Sequence, residues 1–170
     1  SMANVLVILM PQYRDEEFTI PYTLIKKAGH SVDIAGLVDG PAVGAGGHSQ
    51  PTTMMLSQLS PNDLERYNIL VIPGGPGSKK HLWTNKLVKD TIKYFYENKK
   101  GIAAICYAVI ALVHAGILHD KKATVYPTEE AKAIFVEFGV KFSEEPCITL
   151  PQEKIITAQG PKAAEAFGNA

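Results

Sequence analysis

Cys106 is the residue with the clearest potential for chemistry. A buried strand predicted over residues 102–105 runs directly into this cysteine, and an apolar segment of helical character, residues 107–112, begins immediately after it. A residue at a tight strand-to-helix turn lies at the carboxyl edge of the sheet, where open α/β folds place their sites. The helix amino terminus would favour the thiolate, the nucleophilic form of cysteine. The pattern therefore predicts a reactive cysteine at a nucleophile elbow, with a buried structural cysteine as the alternative.

A glycine-rich turn, residues 73–77 (PGGPG), follows a second predicted buried strand over 69–72. Glycines permit positive φ angles and expose backbone N–H groups to a ligand. The turn matches neither the Walker A pattern nor GxGxxG, so it does not indicate a nucleotide site. If it is functional, Gly74 and Gly75 contact the substrate, and the N–H groups of Gly75 and Tyr107 form an oxyanion site near the sulfur. The alternative is an ordinary turn between a strand and a helix.

An acidic triplet, Asp15-Glu16-Glu17, lies just beyond the first predicted strand, residues 5–10. If that strand is central in a parallel sheet, the triplet shares the carboxyl edge with the other two turns. A carboxyl group there could share a proton with a thiol or transfer one for a substrate. The alternative is that all three are solvated partners of the helix dipole.

Two other side chains could line the same edge. His48 lies in a loop rich in glycine, proline, serine and threonine, residues 37–53, and could serve as a base there. Tyr126 follows a short predicted strand and precedes Pro127. A solvated loop histidine and a core tyrosine are the respective alternatives.

Strands alternate with helical segments along the whole chain, which predicts an α/β domain with a mostly parallel sheet covered on both faces. Pro21 lies inside the first helical segment and should kink it or loosen its first turns. Strands are predicted near residues 5–10, 31–35, 69–72, 102–105, 123–125, 147–150 and 154–157, and helices over 15–28, 85–98, 107–115, 128–138 and from Lys162 onward.

Composition limits the class of function. The 170 residues carry 17 basic and 17 acidic side chains, and this balance argues against nucleic-acid or acidic-membrane binding as the main activity. No apolar run approaches the roughly 20 residues that span a bilayer. The amino-terminal segment lacks the features of a signal peptide, so we predict a cytoplasmic protein. Two cysteines and five scattered histidines predict neither a disulfide framework nor a metal site.

These elements together resemble the ThiJ/PfpI superfamily. The matching residues are Glu17 with Pro21 four positions later, the turn 73–75 (PGG), and residues 103–106 (AAIC) leading into a helix. Residues 159–161 (QGP) are similar to the turn that precedes the last helix of that family. The resemblance covers nearly the whole chain and predicts a single ThiJ/PfpI-like domain over residues 1–170.

The resemblance implies a flavodoxin-like three-layer sandwich that assembles as a homodimer or a larger homo-oligomer. It implies that Cys106 is the nucleophile or the oxidation-sensitive residue, that Glu17 hydrogen-bonds to its sulfur, and that Gly75 and Tyr107 line an anion-binding pocket. Active members are cofactor-free glyoxalases or deglycases that act on small dicarbonyls such as methylglyoxal. The implied chemistry is addition of the thiol to the aldehyde, followed by a proton transfer through a carboxyl group that gives a lactate ester.

The chain departs from the family pattern at two positions. Tyr107 stands where the protease-like branch has the histidine that pairs with its nucleophile, which argues against peptidase activity. Tyr126 stands where the deglycase branch often has a pocket histidine. Three hypotheses follow, in this order: a cysteine-dependent glyoxalase or deglycase-like enzyme, an oxidative-stress sensor without turnover, and a PfpI-like cysteine peptidase.

Overall fold

The computed structural model describes residues 2–160, in which a central sheet is surrounded by helices. The strands are β1 Asn4–Leu9, β2 Ser31–Gly36, β3 Ala42–Val43, β4 Ser49–Gln50, β5 Met54–Met55, β6 Ile69–Ile72, β7 Gly101–Ile105, β8 Lys122–Ala123, β9 Lys141–Phe142, β10 Cys147–Leu150 and β11 Ile155–Ala158. The helices are α1 Asp15–Lys27, α2 Pro61–Leu64, α3 Ser78–His81, α4 Lys86–Glu97, α5 Val109–His114 and α6 Glu129–Glu137. Leu56–Gln58 and Cys106–Ala108 form 3₁₀ turns.

The central sheet has seven strands in the order β10-β11-β7-β6-β1-β2-β5. Every neighbouring pair is parallel except β10 and β11, which are antiparallel. Strand β1 is apolar at nearly every position and buried, as expected for a strand with helices on both faces of its sheet. The predicted mixed α/β fold with a mostly parallel central sheet is confirmed.

Several predicted elements differ from those observed. Strand β8 lies one to two residues earlier than predicted and pairs with β9 in a separate two-stranded sheet. The predicted helix after Cys106 begins as a 3₁₀ turn and becomes α-helical only at Val109. Pro21 lies within α1 without ending it. The predicted last helix, from Lys162, and Pro161 of the family turn lie outside the described residues.

The sheet order brings three chain segments together. Strands β7, β6 and β1 are neighbours and run in the same direction, so their carboxyl ends lie side by side. Beyond these ends lie, respectively, Cys106, the turn 73–77 and the start of α1 with Glu17. Within residues 2–160, no helix is long and apolar enough to cross a membrane.

Candidate active site

The Cys106 turn has an unusual backbone conformation. Ile105 is extended, with a φ of −130°, whereas Cys106 has a φ of +61°, in the left-handed region that non-glycine residues rarely adopt. This conformation costs of order 1–3 kcal/mol and persists only where the surrounding structure enforces it, as it often does at functional sites. The cysteine side chain is only 4% exposed.

Gly74 allows the glycine-rich turn to pack against this cysteine. A Cβ atom at Gly74 would collide with the carbonyl oxygen of Ile105 and would lie 2.9 Å from the Cβ of Cys106. Real Cβ atoms do not approach other atoms so closely, so only glycine fits without a shift of the backbone. The close approach brings the peptide N–H of Gly74 into the site.

Glu17 is completely buried at the same place. Its Oε1 atom accepts a hydrogen bond of 3.2 Å from the N–H of Gly74. Its Oε2 atom has no hydrogen-bond partner of regular geometry in the described part of the chain. A carboxyl oxygen that is buried and unpaired is costly when charged, and the cost falls when the group takes up a proton.

Burial accordingly raises the pKa of Glu17 from 4.5 to about 7. Three favourable interactions partly oppose this shift: a hydrogen-bonding interaction with the Cys106 thiol, the charge of Arg14 and the N–H of Gly74. The sulfur therefore lies close enough to the carboxyl group to interact with it, although no bond of regular geometry joins them. Near neutral pH the carboxyl group can both release and accept a proton.

The thiol of Cys106 differs from the sequence-based expectation. Burial, and then the neighbouring carboxylate of Glu17, raise the pKa of the thiol, while a hydrogen bond from the N–H of Tyr107 lowers it. The expected stabilisation of the thiolate at the start of a helix is thus present only as the Tyr107 N–H, and desolvation outweighs it. Burial and the carboxylate of Glu17 thus oppose the ionisation that was expected of this sulfur.

The predicted oxyanion donors were the N–H groups of Gly75 and Tyr107. The N–H of Tyr107 lowers the pKa of the thiol, and the N–H of the neighbouring Gly74 binds Glu17. Gly75 has a φ of +130° and packs tightly on the loop before α1, where a Cβ would lie 2.8 Å from the carbonyl carbon of Tyr13. An oxyanion role for Gly75 stays a prediction.

Aromatic side chains border the site. The ring of Tyr107 makes edge-to-face contacts with Tyr126, at 5.3 Å between centroids, and with Trp83, at 6.1 Å. A Cβ at Gly160 would lie 3.5 Å from the Tyr126 ring and 3.9 Å from Oε2 of Glu17. Tyr126, which is 44% exposed, therefore lies at the edge of the site, separated from Glu17 only by a glycine.

His48 is placed differently. The ring lies 6.4 Å from those of Tyr13 and Phe18, and its Nε2 atom lies 3.4 Å from the Gln50 side chain. Among residues 2–160, these are the aromatic contacts and the side-chain hydrogen bond of the imidazole, and Cys106 takes part in none of them. The structure therefore does not bring His48 together with the sulfur, and it shows no cysteine–histidine pair.

Two residues that the sequence analysis missed act on the site. Arg14 directly precedes the acidic triplet, and its charge lowers the pKa of both Glu17 and Cys106. Its position directly before three acidic residues is a sequence feature that could have indicated this interaction. Trp83 donates a hydrogen bond to the carbonyl oxygen of Tyr107, and no local pattern indicates this contact.

Asp15 lies near the site but has another role. It accepts hydrogen bonds from the N–H groups of Gly46 and His48, so it anchors the loop of residues 37–53.

An apolar groove of about 380 Å³ lies away from the site, near the amino ends of β1, β6 and β7, and is lined by α1 and the β10–β11 hairpin. No group of three or more metal-ligating side chains is found in the described structure.

Comparisons with known proteins agree with this arrangement. A family model described as "DJ-1/PfpI family" matches residues 3–170. An uncharacterized protein of Methanocaldococcus jannaschii is 35% identical over 98% of this chain and 79% of its own length. A deglycase of Pyrococcus horikoshii is 32% identical over 73% of this chain and 72% of its own length. The solved structure of Schizosaccharomyces pombe DJ-1 superimposes with a TM-score of 0.86 at 26% identity, covering 97% of this chain and 87% of that one. The flavodoxin-like fold follows from this likeness.

Proposed function

This chain belongs to the DJ-1/PfpI family, and from that premise we propose that it is a cofactor-free, cysteine-dependent enzyme of the glyoxalase or deglycase type, acting on small dicarbonyls of the methylglyoxal class. Relatives that bear the names deglycase and glutathione-independent glyoxalase support this proposal. The observation that carries it is the buried carboxyl group of Glu17 beside the Cys106 sulfur, with its pKa raised to about 7.

The first step makes use of the neutral thiol. As the sulfur attacks the aldehyde carbon, the carboxylate of Glu17 accepts the thiol proton and passes it to the aldehyde oxygen, which gives a hemithioacetal. A thiol whose pKa is raised by burial needs such a base, and a base is most effective when its own pKa lies near the working pH. The carboxyl group of Glu17, which interacts with the Cys106 thiol, supports this role.

The second step is an internal oxidation and reduction. Glu17 removes the hydrogen of the former aldehyde carbon as a proton, which gives an enediolate. The hydroxyl proton of that carbon moves to the oxygen of the neighbouring ketone, and Glu17 returns its proton to the ketone carbon. The first carbon becomes a thioester and the second an alcohol. Water then hydrolyses the thioester, which releases lactate and restores the thiol, so that no cofactor is consumed.

The dimensions of the site favour small substrates. Cys106 is 4% exposed, and the rings of Tyr107 and Tyr126 lie at its border. A three-carbon dicarbonyl needs little space beside the sulfur, whereas a peptide needs an open cleft. The absence of a cysteine–histidine pair within residues 2–160 also leaves the peptidase hypothesis without support from the geometry.

Lactate formation from methylglyoxal tests the proposal. Cys106→Ser and Glu17→Gln should each lower kcat/KM by at least about 100-fold, the scale of a lost nucleophile or general base. Cys147→Ser is the matched control, because Cys147 is the other cysteine of the chain and lies on β10, and it should retain the activity. A loss of less than tenfold in either site variant, about 1.4 kcal/mol of barrier, would contradict the proposal.

A second candidate is an oxidative-stress sensor without turnover. The observation that favours it is again Glu17, because a carboxyl group that is half protonated near pH 7 can donate a hydrogen bond to an oxygen of an oxidised sulfur. Peroxide should then convert Cys106 to the sulfinate and leave Cys147 unchanged. Mass spectrometry that finds equal oxidation of the two cysteines would reject this candidate.

Two expectations remain proposals: the homo-oligomer, which rests on the family, and the cytoplasmic location, which rests on the sequence. We expect a homodimer or a larger homo-oligomer, which sedimentation of the purified protein would test. A cytoplasmic location is likewise a prediction.

A further inference from the structure

Trp83 is the only tryptophan of the chain, and it makes a specific polar contact with the site. Its indole Nε1–H donates a hydrogen bond of 2.8 Å to the carbonyl oxygen of Tyr107. The side chain is only 6% exposed. A buried indole N–H needs an acceptor, and here the acceptor belongs to the residue that follows the nucleophile.

The same tryptophan also holds the side chain of Tyr107. The two rings meet edge to face, with 6.1 Å between centroids and 71° between planes. Tyr107 in turn meets Tyr126 at 5.3 Å and 75°. Both the backbone and the ring of Tyr107 are therefore restrained by Trp83.

The backbone of Tyr107 matters because it belongs to the same 3₁₀ turn as Cys106, and its N–H lowers the pKa of the thiol. A hydrogen bond to a charged acceptor weakens steeply when its distance or angle departs from the ideal. Cys106 is held in the left-handed region, with a φ of +61°, so the turn relaxes toward another conformation unless its neighbours restrain it.

Trp83 is itself connected to the glycine-rich turn. Its backbone N–H donates to the carbonyl oxygen of Ser78 at 3.1 Å, and the hydroxyl group of Ser78, completely buried, donates to the carbonyl oxygen of Gly75 at 2.8 Å. On the outer side, Lys79 lies 5.8 Å from the indole ring and forms an ion pair of 2.6 Å with Glu130. A continuous set of contacts thus joins the glycine-rich turn to the Cys106 turn.

We propose that Trp83 is a positioning residue for the reactive thiol: its indole N–H holds the carbonyl group of Tyr107 and thereby the 3₁₀ turn that carries Cys106. The proposal rests on the proposed function only in taking Cys106 as the reactive group. It concerns the acidity of the thiol, which can be measured whether or not the protein turns over a substrate.

The first experiment compares Trp83→Phe with the wild type, both in a Cys147→Ser background that leaves one thiol. Phenylalanine retains an aromatic ring and lacks the N–H donor. The rate of iodoacetamide alkylation of Cys106 is measured as a function of pH. In Trp83→Phe the midpoint of this profile should lie about one pH unit higher than in the wild type, the scale of a weakened hydrogen bond to a charged group. Tyr67→Phe is the control, because it removes the hydrogen bonds of another buried aromatic side chain, which donates to Asp33 and accepts from Arg66.

A profile of Trp83→Phe that coincides with that of Tyr67→Phe would overturn the proposal. If Trp83→Phe does not fold, the wild type still provides a test, because a single tryptophan gives a single indole ¹H–¹⁵N signal. That signal should move over the same pH range in which Cys106 becomes reactive, and the movement should vanish in Cys106→Ser. An indole signal that does not change over that range would overturn the proposal.

The two proposals fail in different ways. A wild type that forms no lactate removes the proposed function, and the alkylation profile and the indole signal can still be read. If the wild type forms lactate and the alkylation profile of Trp83→Phe is unshifted, only the positioning role of Trp83 is contradicted.

Discussion

Glu17 and Cys106 are buried side by side at the carboxyl edge of the sheet, where the carboxylate of Glu17 opposes ionisation of the thiol and the thiol favours the carboxylate. Burial is the main cause of the raised pKa of both groups. The carboxylate of Glu17 further raises the pKa of the thiol through its charge. The surroundings of the pair therefore oppose a negative charge on both groups at once.

The stability of the protein should depend on the ionisation of Glu17. The folded protein holds this proton more tightly than the unfolded chain, since the pKa rises from 4.5 to about 7. The contribution of Glu17 to the free energy of unfolding should therefore be highest below about pH 4.5 and should decrease by about 3 kcal/mol as the pH rises through 7. Glu17→Gln, which is neutral at every pH, should be more stable than the wild type at pH 8 and equal to it at pH 4.

Urea denaturation at these two pH values measures both proteins. The other titrating groups are common to the two chains, so the difference between the two free energies isolates Glu17. Equal stability of variant and wild type at pH 8 would show that burial does not raise this pKa.

Ionisation of Glu17 should raise the rate of lactate formation, although it lowers the stability of the fold. The proposed mechanism needs the carboxylate as a base, so kcat/KM should rise with pH, with a midpoint near the Glu17 pKa of about 7. Initial rates between pH 5.5 and 9 measure this profile. A rate that falls as the pH rises through 7 would assign the active role to the neutral carboxyl group instead.

Gly74→Ala should disrupt the site. Its Cβ would meet the carbonyl oxygen of Ile105 and the Cβ of Cys106, which are parts of the same rigid turn. We expect a destabilisation of about 1–3 kcal/mol from this overpacking, together with loss of activity. Thermal unfolding and the lactate assay measure the two effects.

Gly160→Ala is the control for that substitution. A Cβ at Gly160 would meet its neighbours only at ordinary contact distances of 3.5 Å and 3.9 Å, so stability should change little. The added methyl group lies beside Tyr126 and Glu17 and should raise KM for methylglyoxal. Equal destabilisation by the two alanines would show that the glycine-rich turn does not pack on Cys106 as described.

Asp15→Asn should loosen the loop of residues 37–53 and leave the reactivity of the Cys106 thiol unchanged. The carboxylate accepts two hydrogen bonds of 3.3 Å from the N–H groups of Gly46 and His48, and such charge-assisted bonds are stronger than those of an amide. Amide hydrogen exchange at these two residues should become faster, while the alkylation profile of Cys106 stays that of the wild type. A shift of that profile would instead assign Asp15 to the active site.

Local patterns in the sequence determined which segments meet. The buried strands before Cys106, before the turn 73–77 and before the acidic triplet could be recognised from their continuous apolar character and their flanking glycines. Because parallel strands place their carboxyl ends at one edge, the meeting of these three turns followed without any knowledge of long-range contacts. The family motif then indicated Glu17 among the three acidic residues.

Only the tertiary structure decided the acidity of the sulfur, the place of His48 and the contact of Trp83 with Tyr107. A pKa depends on how completely distant parts of the chain exclude water, and the sequence-based expectation of a thiolate considered only the local helix terminus. His48 packs on Tyr13 and Phe18 because of how its loop folds back, which no periodicity encodes. Patterns of period two or 3.6 describe which face of an element is buried, whereas hydrogen bonds between distant loops depend on the packing of the whole domain.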